Sequence, residues 1–223
     1  LARNRRIRPL AVAAGALALA IAGAGCGNQS SGGDGPKVVA ATTQVGDLVR
    51  EIGGDRVNLT TILRPNTDPH EYEPRPSDVT AVADADLIFR SGGHLDEWTS
   101  DLIDDSGSSA EVVDLSQGLP VRLYGDDDHD HGGGEARGDG TDQGHEGEEF
   151  DPHWWQDPVN VRATAARIAT RLSEINPDSA AYFDGRLSRF DNQIRNLTEN
   201  TRACIRRVPA GERKIVTDHD AFG

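Results

Sequence analysis

Short apolar segments alternate with amphipathic ones through the first half of the chain. The apolar segments are rich in β-branched residues, which is typical of buried strands, and they cover residues 37–42, 57–63, 86–90 and 111–115. Between them, apolar residues recur at helical spacing. This pattern predicts three helices: one over residues 44–52, one that begins after Ser77 as its N-cap, and one over residues 95–103. Strands that alternate with helices in this way predict a parallel α/β sheet.

The second half of the chain carries longer helical patterns. Apolar residues at helical spacing run from Val159 to Leu172, and a second pattern continues from Ser179 to Val208 with Gly185 as its one interruption. A helix of this second length would span about 40 Å, which is longer than the core of one domain requires. We therefore predict that residues 177–208 form a connecting helix that follows an N-terminal α/β lobe of residues 37–176.

Residues 214–217 are again apolar and β-branched, and they predict the strand that opens a second lobe at residues 209–223. A strand without neighbours cannot bury its two faces. We therefore expect a two-lobed α/β protein with parallel sheets whose second lobe is mostly absent, so that this chain is C-terminally truncated.

The N-terminus is typical of an exported protein. Four arginines precede an apolar run over residues 10–24, as in a secretory signal, and the run is short for a membrane-spanning helix. Small residues directly before Cys26 resemble the processing site of lipoproteins. We expect a signal peptide of residues 1–26, a lipid anchor on Cys26 and a flexible Ser/Gly-rich tether of residues 27–36; an ordinary cleaved signal or an uncleaved anchor is the alternative.

The charge balance limits the classes of partner. The chain has 37 acidic and 23 basic residues, a formal net charge of -14. Nucleic acid is therefore excluded as a partner, anionic lipid surfaces are disfavoured, and cations are favoured. If Cys26 carries a lipid, Cys204 is left as a free thiol or lacks its mate.

Residues 125–150 differ sharply in composition from the rest of the chain. They contain ten acidic residues and one arginine, and a segment with so few apolar groups is expected to be a disordered loop. His129, His131 and His145 lie in it, and histidine-rich tracts bind metal weakly. We predict a weak metal site in this loop; a solvated acidic insertion without a task is the alternative.

Three further histidines stand in turn-prone settings among carboxylates. His70 lies in Asp-Pro-His-Glu-Tyr-Glu-Pro, His153 in Asp-Pro-His-Trp-Trp-Gln-Asp-Pro, and His219 in Thr-Asp-His-Asp-Ala-Phe-Gly. A proline beside a histidine restricts the backbone, so that the ring is aimed before a metal arrives. Because His70 and His153 fall in connections at the carboxyl ends of strands, we expect them to converge. His94 has no such proline, and we expect it to be a surface or capping residue.

Taken together, the three histidine motifs and the acidic histidine-rich insertion resemble the metal-binding solute-receptor proteins of bacterial ABC importers, in particular their zinc-uptake type, over residues 38–223. The resemblance implies two α/β lobes joined by a rigid helix, with the metal between them on His70, His153 and His219. A fourth ligand, a carboxylate, comes late in the second lobe of the family, and no residue here corresponds to it.

The resemblance also implies a metal and a set of partners. Zinc prefers about four ligands from His, Cys and carboxylate groups, whereas manganese favours oxygen. The manganese members of the family carry a carboxylate where this chain has His219, so Zn²⁺ is the first expectation, with Mn²⁺ or iron as the alternative. The implied partners are the permease of an ABC transporter and, through Cys26, the membrane. We expect an extracytoplasmic, lipid-anchored monomer.

Other functions remain open beside capture and delivery of a metal ion. Three histidines with an open position also serve zinc hydrolases, but the chain has no His-Glu-x-x-His motif and no candidate general base in a fixed relation to the metal, so we expect no enzyme. A surface metal buffer or adhesin is the third class. Neighbouring permease and ATPase genes would separate an importer from a buffer.

Overall fold

The computed structural model describes residues 35–121 and 151–217. Its centre is a sheet of four short strands, which are β1 (Lys37–Ala40), β2 (Asn58–Thr61), β3 (Leu87–Arg90) and β4 (Glu111–Asp114). All pairs are parallel and the order is β2-β1-β3-β4. The predicted parallel α/β fold is therefore confirmed.

The strand order creates a switch point between β1 and β3. The chain leaves β1 for β2 on one side of the sheet and then returns to place β3 on the other side of β1, where Val39 pairs with both Thr60 and Ile88. Ligands of open α/β sheets bind in the crevice beyond the carboxyl ends of the strands at such a point. The loops that follow β1, β2 and β3 therefore define where a site is expected.

In the part of the chain that the structure describes, five α-helices surround and extend the sheet, and they are α1 (Thr43–Gly53), α2 (Pro76–Ala83), α3 (Trp98–Ser106), α4 (Pro158–Ile175) and α5 (Ala180–Ile205). Side-chain caps fix two of their starts. The Thr42 hydroxyl accepts the Val45 N–H at 3.3 Å at the start of α1. Asp157 accepts the Val159 N–H at 2.6 Å before α4, whose first residue is a proline.

Two predicted helix starts were wrong. Helix α2 begins at Pro76, and its N-cap is Arg75 rather than Ser77, because proline suits the first helical position and the Arg75 N–H donates to the Asp78 carboxylate at 2.8 Å. Helix α3 begins three residues later than predicted. A turn with positive φ angles at Gly92, Gly93 and His94 precedes it and delays the helix.

The two faces of the sheet carry separate cores, because successive strand side chains point to opposite faces. Val38 and Phe89 face α1, α4 and the start of α5, where Leu172 and Phe183 are buried. The opposite face buries the smaller cluster Val39, Ile62, Leu63, Tyr72, Val82, Ile88 and Leu102. Both faces are covered, as a parallel sheet requires.

Helix α5 is held to α1 through its N-terminal half. The Arg186 guanidinium donates to the Glu51 and Arg50 carbonyl oxygens at 2.6 and 3.2 Å, at the end of α1. Further along, Leu197 and Cys204 are exposed, and Cys204 forms no disulfide within the described residues. Within the described ranges, no helix combines the length and the apolar character that crossing a membrane would need.

The strand predicted for residues 214–217 was wrong. These residues are irregular, and Ile215 and Val216 are 75% and 97% exposed. A strand needs a partner for its backbone N–H and C=O groups, and the part of the chain that the structure describes places no strand beside this segment.

Candidate metal centre

Two Asp-Pro-His sequences adopt the same hydrogen-bonded turn. The Asp68 carboxylate accepts the backbone N–H of His70 at 2.9 Å, and the Asp151 carboxylate accepts that of His153 at the same distance. A side chain that bonds the backbone two residues on closes an Asx turn, and the proline between them restricts its opening. The backbone of each histidine is therefore held by a local turn.

His153 is held by its ring as well as by its backbone. Its Nδ1 lies 2.6 Å from Asp151 Oδ1, and the two residues are only 8% and 4% exposed. A carboxylate accepts a hydrogen bond from Nδ1–H, which selects the tautomer whose Nε2 carries the lone pair. The structure therefore presents Nε2 of His153 as the atom that can bind a metal.

His70 is exposed, but the segment around it is fixed from both sides. The Trp98 indole donates to the Pro69 carbonyl at 2.9 Å, and the Tyr72 hydroxyl donates to the Asp78 carboxylate at 2.6 Å. Burial first, and then this hydrogen bond, raise the pKa of Tyr72 to about 12. The residues on both sides of His70 are thus anchored to α2 and α3, while its ring faces solvent.

The rings of His70 and His153 converge as the sequence predicted. Their centroids lie 5.7 Å apart with the ring planes inclined at 57°, and the ring of Trp155 stands 5.3 Å from that of His153 on edge. Because a zinc–nitrogen bond is about 2.0 Å long, two imidazoles at this spacing can share one ion after small rotations. Their role as ligands stays a prediction.

The pair stands at the switch point of the sheet. His70 follows β2, and the Trp154 indole next to His153 donates to the Ser91 carbonyl, directly after β3, at 3.1 Å. An open cleft of about 720 Å³ extends from His70 along the loop after β3 and past α3. His94 also lines this cleft, but it is exposed and its ring bonds to Glu97, so it lies on the surface as expected.

The other predicted site residues lie outside the described residues. They are the metal ligands His129, His131, His145 and His219, and Cys26 as the point of lipid attachment. Within residues 35–121 and 151–217, no three His, Cys, Asp or Glu side chains stand close enough to hold a metal ion. The described part of the centre is therefore a pair of histidines that needs further ligands.

Sequence reasoning missed Asp96, a carboxylate buried beneath the loop that follows β3. Burial raises the pKa of Asp96, while the Gly92 and Ser91 N–H groups that donate to it act in the opposite direction. A buried acid is rare unless it is paired or hydrogen-bonded. The only signal in the sequence is an aspartate directly after a Gly-Gly-His-Leu turn, which by itself is also a normal helix start.

A parallel α/β unit followed by a long helix, with paired histidines at the switch point, is the arrangement implied for the metal-binding receptors of ABC importers. The family model described as ZnuA, zinc-uptake complex component A, periplasmic, matches residues 38–223. The chain therefore belongs to this family, and the resemblance inferred from the histidine motifs is confirmed.

Individual relatives differ in the metal that their names state. The chain is 30% identical over 196 residues to the manganese-binding lipoprotein MntA of Halalkalibacterium halodurans, covering 86% of this chain and 57% of the relative. It is 29% identical to the manganese ABC transporter substrate-binding lipoprotein PsaA of Streptococcus mitis, covering 83% and 57%. This chain thus spans little more than half the length of these curated relatives.

Solved structures give the same architecture. The periplasmic zinc binding protein TroA from Treponema pallidum matches with a TM-score of 0.69 and 29% identity, covering 85% of this chain and 62% of that one. A Mn-bound periplasmic metal binding protein from candidatus liberibacter asiaticus matches with a TM-score of 0.64 at 21% identity, which speaks for the fold alone. The fold is common to zinc-named and manganese-named proteins.

Proposed function

We propose that this protein captures a divalent metal ion outside the cytoplasm, Zn²⁺ before Mn²⁺, and delivers it to the permease of an ABC transporter. The observation that carries the proposal is the convergence of His70 and His153 at 5.7 Å, with His153 already oriented by Asp151. Two preset imidazoles lower the ordering cost of binding a borderline-soft cation. The relatives are named as transport proteins, which supports a receptor rather than an enzyme.

His219 is proposed as the third ligand, and it is the reason for placing zinc first. A third imidazole in place of a carboxylate favours zinc over manganese, which prefers oxygen ligands. Manganese stays the alternative because similar lipoproteins carry manganese in their names. The acidic loop, with His129, His131 and His145, is proposed as a weaker accessory site.

The remaining proposals concern where the protein works and how it is divided. We propose that residues 1–26 are a signal peptide, that Cys26 carries a lipid anchor, and that the protein acts as a monomer at the outer face of the membrane. The proposed division comprises an N-terminal lobe of residues 37–176, the connecting helix of residues 177–208 and the beginning of a second lobe at residues 209–223. The lipoprotein names of the relatives support the anchor.

Calorimetric titration of the chain with Zn²⁺, over micromolar to millimolar concentrations, tests the function. His70→Ala and His153→Ala should each weaken binding at least tenfold, since each removes one of a small set of ligands. His94→Ala is the matched control because this exposed histidine lines the same cleft without belonging to the pair. If all three variants bind Zn²⁺ with the same affinity, His70 and His153 are not the ligands.

Competition between the two metals tests the order of preference. Zn²⁺ should displace Mn²⁺ from the loaded protein at equal concentrations, whereas Mn²⁺ should not displace Zn²⁺. Replacement of His219 by aspartate should shift the preference towards Mn²⁺ if this residue is the third ligand. An unchanged preference in that variant would remove His219 from the proposed set.

A further inference from the structure

One peptide group, which joins Ser91 to Gly92, lies between a buried carboxylate and a buried indole. Its N–H donates to Asp96 Oδ1 at 2.9 Å, and its carbonyl accepts from Trp154 Nε1 at 3.1 Å. The preceding N–H, that of Ser91, donates to Asp96 Oδ2 at 2.6 Å. Both ends of this peptide are therefore fixed, one by Asp96 and the other by the residue next to His153.

The groups in this arrangement are sealed from water. Asp96 is 1% exposed, and Ser91 and Trp154 are 0% exposed. A buried carboxylate that accepts two backbone N–H groups is strongly oriented, because losing either bond would leave a polar group without a partner. Since Asp96 takes up both N–H groups, the Ser91 carbonyl is directed away from it and towards Trp154.

The loop between β3 and α3 depends on the same carboxylate for its shape. Gly92, Gly93 and His94 have φ angles of 78°, 62° and 67°, a left-handed run that non-glycine residues adopt at a cost. The backbone bond from Leu95 N to Gly92 O is long, at 3.3 Å. The two bonds to Asp96 are shorter than this one, and they hold the loop at its first two residues.

The indole passes this restraint to the histidine pair. Trp154 opens a short 3₁₀ turn, Trp154–Gln156, which is closed by the Gln156 N–H on the His153 carbonyl at 3.0 Å. The ring of Trp155 lies 5.8 Å from that of Trp154 and 5.3 Å from that of His153. A shift of the Trp154 indole would therefore move the backbone and the aromatic neighbour of His153 together.

We propose that Asp96 is a positioning residue for metal capture, which sets the His153 imidazole through the Ser91–Gly92 peptide and the Trp154 indole. Both carboxylate oxygens of Asp96 accept backbone N–H groups, so we do not propose Asp96 as a metal ligand. The inference rests on the proposed function, because it assumes that His153 binds the metal. Two consequences distinguish it from a purely structural role: Asp96 controls the Trp154 indole hydrogen bond in the metal-free protein, and it is energetically coupled to Trp154 in metal binding.

The test uses Asp96→Asn, Trp154→Phe and the double variant in the whole chain. Asparagine keeps the shape of the side chain but turns one acceptor into an N–H₂ donor that cannot take a backbone N–H. Phenylalanine at position 154 keeps an aromatic ring and removes the indole N–H donor. Trp154→Phe therefore tests the hydrogen bond to the Ser91 carbonyl even if Asp96→Asn does not fold. Asn160→Ala is the control, since it deletes two partly buried hydrogen bonds between α4 and Val121 and leaves the groups that link Asp96 to Trp154 unchanged.

Two measurements are made, proton exchange of the Trp154 indole N–H by NMR without metal, and Zn²⁺ affinity by calorimetry. Asp96→Asn should speed indole exchange and weaken Zn²⁺ binding by about tenfold, as for other groups that orient a metal ligand. The double variant should bind Zn²⁺ no more weakly than whichever single variant binds it more weakly. The reason is that both substitutions break the same connection, through the Ser91–Gly92 peptide, between Asp96 and Trp154. Asn160→Ala should change neither measurement, even where it lowers the melting temperature.

Unchanged indole exchange in Asp96→Asn, additive losses in the double variant, or the same losses in Asn160→Ala would each overturn the positioning role. If His153→Ala binds Zn²⁺ as the parent does, the proposed function fails instead. The indole exchange and the ring-nitrogen shifts of His153 in the metal-free protein then still decide whether Asp96 sets its position.

Discussion

The imidazole ring of His70 lies 5.7 Å from that of His153, although one follows β2 and the other precedes α4. Their convergence follows from the sheet order and one hydrogen bond. His70 follows β2, the Trp154 indole beside His153 bonds the Ser91 carbonyl after β3, and the carboxyl ends of these parallel strands lie at the same edge of the sheet. The repeated Asp-Pro-His turn then fixes each backbone. The pair is thus arranged by topology and aimed by local turns.

The two aspartates of these turns should differ in their effect on metal affinity. Asp151→Asn removes the charge that accepts from His153 Nδ1, so the tautomer with a free Nε2 is less favoured and Zn²⁺ affinity should fall about tenfold. Asp68→Asn is the matched control, since the Asp68 carboxylate bonds only the backbone of His70 among the described residues. Calorimetry of both variants checks this, and equal losses would remove the ring contact as the cause.

Comparing alanine substitutions at Gly92 and Gly107 separates the cost of backbone strain from the cost of steric conflict. Both have positive φ angles, 78° and 64°, but a Cβ on Gly92 would collide with the Asp114 carboxylate and Ser116, whereas a Cβ on Gly107 meets nothing. Gly107→Ala should cost about 1 kcal/mol, the strain of a left-handed residue. Gly92→Ala should cost about 3 kcal/mol, since overpacking adds to that strain.

Urea unfolding at neutral pH measures both glycine variants against the parent. The informative quantity is the difference between their free energies of unfolding, because the backbone term is common to the two. Equal destabilisation would mean that the loop after β3 yields easily, and it would weaken the view that Asp96 restrains that loop.

The sequence predicted the features that depend on local pattern. The four strands follow from apolar runs and the helices from apolar spacing, because burial on a sheet or a helix face imposes those periods. The Ser77 N-cap was wrong because Arg75 and Pro76 form a better start. Residues 214–217 were wrong as a strand because strand structure needs a partner, which the pattern alone does not supply.

The Asp96 arrangement could not be found in this way. Asp96 and Trp154 are far apart in the chain, and they meet through the backbone of Ser91 and Gly92 rather than through each other's side chains. A hydrogen bond to a backbone group can be made at any residue type, so the sequence does not show where such a contact lies. By contrast, the histidine pair was predictable because the chemistry of metal binding restricts the residue types to very few.

Arg186 should be important for attaching α5 to α1. It donates to the last carbonyls of α1 and its guanidinium lies 5.8 Å from the centre of the Tyr182 ring. Charged donors at a helix C-terminus stabilise it, so Arg186→Ala should lower the free energy of unfolding by about 2 kcal/mol. Arg189→Ala, at an exposed position on the same helix, should change it by less than about 0.5 kcal/mol. Urea unfolding of both variants is the measurement, and equal effects would contradict the specific role of Arg186.

Asp191 should make the packing of α4 on α5 sensitive to acid. Its carboxylate accepts from Arg195 of the same helix at 2.7 Å and from Arg162 of α4, and these hydrogen bonds lower the pKa of Asp191. A carboxyl group with a lowered pKa in the folded state contributes stability above its unfolded pKa of about 3.9. That contribution is lost as the pH falls through the folded pKa, when the group becomes protonated in both states.

Asp191→Asn should therefore be less stable than the parent at pH 7, by at most about 1 kcal/mol because the ion pairs are partly exposed. The difference should shrink as the pH falls below about 4, where the parent loses the same charge. Asp184→Asn is the control, since Asp184 is exposed on the same helix and pairs with no described residue. Melting temperatures at pH 7 and pH 3 decide it: a gap between Asp191→Asn and the parent that is equally large at both pH values would mean that packing, not ionisation, accounts for the loss.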